Sequence, residues 1–88
     1  MTTIKQITEV QGDKTLIIAM EELAELQQAL SKFLRKKPNM DNLHEEYADV
    51  LICLEWIKQY CQLDDEEIDK WYLYKKQRID KRYENGEL

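Results

Sequence analysis

The 88-residue chain has a net charge of -5, which excludes broad binding to nucleic-acid polymers because that needs a basic surface. A chain of this length makes one domain, residues 1–88, with a modest core of the kind often helped by oligomerisation. Abundant charge with only two Gly and one Pro favours helices, no apolar run reaches membrane-spanning length, and "MTTIKQITEV" lacks the apolar centre of a signal peptide.

The pattern predicts four helices. The first covers about residues 3 to 10, where Thr3 with Gln6 forms a capping box and Ile4, Ile7 and Val10 make a small stripe. Gly12 and Asp13 punctuate it. The second runs over about residues 13 to 35, with Leu16, Ala19, Met20, Leu23, Leu26, Leu30, Phe33 and Leu34 at helical spacing. "RKKPNMDN" is a turn, since Pro38 disfavours a helical Lys37. The third runs over about residues 41 to 62, capped by Asn42 with Glu45 or by Asp41 alone. Its Cys53 and Cys61 stand about 12 Å apart along the axis, too far to bridge, and are expected as buried thiols of a reducing cytoplasm. The fourth runs over about residues 65 to 84. Asp64 with Glu67 caps it, "DDEE" suits the helix dipole, and Gly86 stops it. The expected fold is all-α, a small four-helix bundle built on an antiparallel hairpin and assembling as a homo-oligomer.

One residue of "HEEYADVLICL" is out of place. At about 100° per residue, Leu43, Tyr47, Val50, Leu51, Cys53, Leu54, Ile57, Tyr60 and Cys61 form an apolar arc. Glu46 falls near its middle and Asp49 at its edge. The second helix repeats the anomaly, with Glu22 between Ile18 and Leu26 and Glu25 beside it. Residues i and i+3 are helix neighbours, so each helix turns a carboxylate pair toward its packing face. A short turn makes these helices antiparallel, with Glu25 and Asp49 at similar heights. All four carboxylates can then converge on one pocket.

Unpaired buried carboxylates cost several kcal/mol each and repel one another. Lys and Arg are nearly absent from both arcs, so a divalent cation is the economical compensation. All-oxygen ligation selects a hard ion, Mg2+ or Mn2+, and a set without His or Cys argues against zinc. Glu21 and Glu45 point further outward and read, taken alone, as solvated charges. His44 reads as a surface residue. Gln27 lies in the apolar arc, facing a partner subunit or a ligand.

Glu22-x-x-Glu25 and Glu46-x-x-Asp49, separated by 20 residues within "EELAEL" and "EEYADV", resemble the ExxE…ExxD signature of the MazG-like nucleoside triphosphate pyrophosphohydrolases. The resemblance covers about residues 12 to 84. It implies a helical bundle forming dimers or dimers of dimers, binding Mg2+ and cleaving NTP to NMP and pyrophosphate. It also implies that Glu22, Glu25, Glu46 and Asp49 ligate the metal. Glu21 matches the first of a glutamate pair common in the family, which makes it a site residue, and either Glu21 or Glu22 is the general base. "Gln11-Gly12" stands where relatives often show Trp-Gly.

On the fourth helix, Trp71, Lys75, Arg78 and Arg82 form a stripe whose cations can reach phosphates beyond the metals. "RIDKRY" resembles a family element that assigns phosphate binding to Arg78 and Arg82, with Lys75 a weaker candidate. Trp71 suits stacking on a base or packing between subunits. The favoured reading is a cytoplasmic enzyme for housecleaning or control of (d)NTP or modified-NTP pools. A non-catalytic dimeric module that binds nucleotide or cation without turnover is the alternative. A ligand-free structural bundle would instead need Lys or Arg partners for the inward carboxylates.

Overall fold

A computed structural model describes residues 1–88, and the first helix, α1 (Ile4–Gln11), begins as expected. The Gln6 amide donates to Thr3 Oγ1 at 3.1 Å and the Thr3 amide donates to Gln6 Oε1 at 2.8 Å, a reciprocal capping box. Gly12 ends α1 at φ 57°, a left-handed conformation that glycine adopts without a Cβ penalty. The remaining helices are α2 (Lys14–Leu34), α3 (Met40–Tyr60) and α4 (Asp65–Glu84), with no strand. Each expected boundary lies within two residues of the observed one.

The cap of α3 differs from expectation. Asn39, rather than Asn42 or Asp41, accepts from the Asn42 amide at 3.0 Å. Asn39 is extended and directly follows Pro38, so the helix begins one residue earlier, at Met40. Asp64 caps α4 as expected, accepting from the Glu66 and Glu67 amides at 2.8 and 3.1 Å.

α2 and α3 form the antiparallel hairpin, and α1 packs on both, chiefly on α3. The Tyr60 hydroxyl at the end of α3 donates to the Asp13 carboxylate before α2, fastening the open end of the hairpin. That carboxylate also pushes the Tyr60 hydroxyl above its ordinary pKa. The buried apolar residues are small: Ala19 and Ala29 on α2 face a layer completed by Val50 and Cys53 on α3. Thr8 and Thr15 are buried with their hydroxyls satisfied, donating to the Lys5 carbonyl and to Gln11 Oε1, each at 3.1 Å.

The fourth helix departs from the expected bundle. α4 packs against no other helix and every one of its residues is exposed. The class and the number of helices match the expectation, but the packed unit is α1–α3. Much of the expected core stripe of α2 is therefore on the surface, including Met20, Leu23, Leu30, Phe33 and Leu34. A hairpin partner covers only a narrow arc of a helix, and no further layer covers the rest. Gln27 is exposed for the same reason, and Cys61 is exposed rather than buried because it sits at the α3 C-cap. Cys53 and His44 lie as expected, buried and exposed respectively. No helix is long and apolar enough to cross a membrane.

The chain exposes 7624 Å², whereas a folded monomer of its mass exposes about 5500 Å². Its radius of gyration is 16.5 Å, against about 12 Å for a globule of this length.

The junction before α4 carries local strain. Gln62 adopts φ 54°, and the Leu63 amide donates back to the Lys58 carbonyl at 3.0 Å. A left-handed cap of this kind favours glycine. Replacing Gln62 by Gly is expected to stabilise the fold by up to about 1 kcal/mol. The check is a higher urea midpoint at unchanged slope.

Candidate metal centre

The short Arg35–Asn39 connection sets the register of α2 against α3, and it places the two carboxylate pairs opposite one another. Carboxylate oxygens of Glu22, Glu25 and Glu46 lie within 4.8 Å of one another, and those of Glu45, Glu46 and Asp49 do the same. Glu46 belongs to both groups and joins them. Asp49 also closely approaches Glu22 across the helix pair. All four carboxylates expected to converge therefore do so.

Glu46 is buried, at 7 % exposure, and Glu22 is half-buried. One oxygen of each, Oε2, is shielded from solvent and accepts no hydrogen bond. Such groups are expensive unless something fills their coordination sphere. No cation of the chain does so: the two ion pairs are Lys58–Asp65 at 2.9 Å and Lys76–Asp80 at 3.5 Å, neither of which includes a cluster residue. The Lys or Arg partners that a ligand-free structural bundle would need are thus missing.

The electrostatics follow from this geometry. Burial, then the negative charges of Glu25, Asp49 and Glu46, push the Glu22 carboxyl up to about 7 from 4.5. Burial and the neighbouring Glu25 and Asp49 likewise raise Glu46. The Cys53 thiol is pushed up mainly by burial, with Glu22 and Asp49 adding to it, so this cysteine borders the cluster as an inert wall.

The donor set fits a hard divalent cation. Oxygen ligands around an octahedral Mg2+ stand about 3–4 Å apart, close to the spacing already present. Glu45 belongs to the cluster geometry although its helical angle alone pointed it outward. Its i, i+4 relation to Asp49 was the available signal. Glu21 is exposed and outside both groups. Trp71, Lys75, Arg78 and Arg82 lie on α4, exposed and away from the acidic cluster of their own chain. Trp71 packs edge-on against Tyr74 with ring centroids 5.9 Å apart, and the Arg78 guanidinium lies 5.8 Å from the Tyr74 ring centre. No family model matches the chain, and no curated protein or solved structure matches it either.

Proposed function

We propose that this chain is a Mg2+-dependent nucleoside triphosphate pyrophosphohydrolase of the MazG-like type, cleaving a (d)NTP or modified NTP to NMP and pyrophosphate. The observation that carries this reading is the pair of buried, unpartnered oxygens, Glu22 Oε2 and Glu46 Oε2, in a cluster of converging carboxylates with no cation of the chain beside it. Glu22, Glu25, Glu46 and Asp49 would hold Mg2+, or Mn2+ in its place. Bound there, such an ion would offset the repulsion between carboxylates and triphosphate and would supply Lewis-acid activation of water and charge stabilisation at the phosphorus.

The chain's own residues divide the remaining work. Water forms a bond to the α-phosphorus, the bond from that phosphorus to the α–β bridging oxygen breaks, and pyrophosphate leaves with the bridging electrons. Glu21 keeps its carboxylate free of the cluster and accepts the water's proton. Glu22, the other candidate base, is engaged in ligation. Lys75, Arg78 and Arg82 bind phosphate oxygens, and Trp71 offers a face for a base. The enzyme works as a homodimer or dimer of dimers in the cytoplasm, which the surplus exposed surface and the two free thiols support.

The separation of α4 from the cluster favours a second reading, a helical module that binds a cation or nucleotide without turnover. A panel of canonical and modified NTPs and dNTPs with Mg2+ or Mn2+ separates the two. Metal-dependent release of NMP with equimolar pyrophosphate is the expected result. A folded protein that binds the ion yet turns over none of the panel establishes the binding module.

A further inference from the structure

The end of α1 holds a glutamine whose amide has a fixed direction. Thr15 is completely buried, and its hydroxyl donates to Gln11 Oε1 at 3.1 Å. A hydroxyl carries a single proton, so this bond settles which end of the half-buried Gln11 amide turns inward. The Gln11 NH2 group is left at the free end of the side chain, with two protons to donate. Earlier on α1, Gln6 is held in the same sense. Its Oε1 accepts from the Thr3 amide at 2.8 Å, and its NH2 group is free. Both glutamines border a hollow of about 380 Å³ whose other walls are Thr2, Ile7 and Val10. The Val10 side chain is 89 % exposed there. The hollow thus joins an apolar wall to amide donors whose acceptor ends are already engaged.

We propose that this hollow seats the base of the nucleotide, and that Gln11 selects bases with a keto oxygen on the recognised edge over their amino counterparts. The presence of a nucleotide rests on the pyrophosphohydrolase reading, whereas the direction of selection rests on the Thr15–Gln11 bond. Thr15 and Glu22 are seven residues apart, so they share one face of α2 at a separation of about 10 Å along its axis. A ribose and a base span such a gap when the α-phosphate lies at the carboxylates. O4 of uracil or thymine and O6 of hypoxanthine or guanine accept from an NH2 group. The amino group of cytosine or adenine would set donor against donor and leave both unpaired. Stacking on an aromatic face is open to every base and makes no such distinction. Gln11 is therefore the specificity residue, Gln6 offers a second donor, and Thr15 is a positioning residue that acts through Gln11.

The test compares UTP with CTP and ITP with ATP, pairs that exchange a keto oxygen for an amino group. In each pair kcat/KM is expected to be at least about tenfold higher for the keto member. Gln11→Glu keeps an oxygen toward Thr15 and turns an acceptor outward, so it should reverse both preferences. Thr15→Val frees the amide to turn and should bring both ratios close to one. The α,β-imido analogues of UTP and CTP, bound with Mg2+ and measured by calorimetry, read the same ratio without turnover. In 15N spectra the Gln11 side-chain NH2 signal should shift on adding the UTP analogue. An unmoved signal, or a Gln11→Glu variant that keeps the parent preference, would overturn the proposal. Turnover with equal or reversed ratios overturns the base selection and leaves the pyrophosphohydrolase reading standing. Analogue binding with the stated preference but no turnover does the opposite. Neither binding nor turnover overturns both.

Discussion

Glu46→Gln is expected to destroy the Mg2+ response and yet to melt above the parent protein in EDTA. In the parent, Glu46 is buried against Glu25, Asp49 and Glu45, and its Oε2 has no hydrogen-bond partner. The amide keeps the shape and removes the charge. Its NH2 group can donate to the surrounding carboxylates, turning a repulsive neighbour into a bonded one. The same change removes the ligand common to both carboxylate groups. Losing several kcal/mol of metal-derived transition-state stabilisation corresponds to a fall of about 10³-fold or more in pyrophosphate release. Thermal melts with and without Mg2+ check the first half. The parent gains stability with the ion and the variant gains little, so their order reverses. A variant that melts below the parent under both conditions would make Glu46 a structural residue and remove the basis of the metal centre.

Without divalent cations, the protein is expected to lose stability as pH rises from 5 to 8. Glu22 has its carboxyl raised from 4.5 to about 7 in the folded state. Between those values the folded chain holds a proton that the unfolded chain has released. Raising the pH therefore favours unfolding across this window, and the loss is complete above about 7. Glu46 is shifted in the same direction and deepens the trend. Mg2+ should reverse the slope, because it binds the deprotonated carboxylates and gives no advantage to their protonated forms. At a hundred times its dissociation constant the ion adds about 2.7 kcal/mol. Binding near pH 6 should release about one proton, measurable by calorimetry in buffers of different ionisation enthalpy. Stability that rises with pH in EDTA would contradict the clustered geometry.

Local chemistry was largely legible from the residues. Thr3, Gly12 and Asp64 mark helix ends through hydrogen bonds and backbone preferences confined to a few neighbours. The cluster was legible because helical angle places Glu22 and Glu46 among apolar residues, and a short turn makes their helices antiparallel with Glu25 and Asp49 at similar heights. Asn39 escaped because "NMDN" offers three side chains able to cap, and the choice depends on how Pro38 sets the entering strand of chain. Glu45 escaped because an angular projection ignores the reach of a glutamate side chain. The path of α4 was not legible at all. It depends on Gln62 in a left-handed turn and on Lys58 meeting Asp65, neither of which follows from a hydrophobic pattern. An apolar stripe on α2 says that Leu30 and Phe33 suit burial, and it does not say which surface covers them.

Ala19 and Ala29 stand on either side of Glu22 and Glu25 along α2, and both are almost completely buried. Methyl groups are the thinnest side chains that can still exclude water from a helix contact. The two alanines therefore act as spacers that set how far the glutamates of α2 stand from the acidic residues of α3. If the cluster holds an ion as proposed, the radius it would favour is set by residues that would not touch that ion. On that reading, widening this contact by a methylene would shift the preference from a smaller to a larger cation while every carboxylate stayed in place.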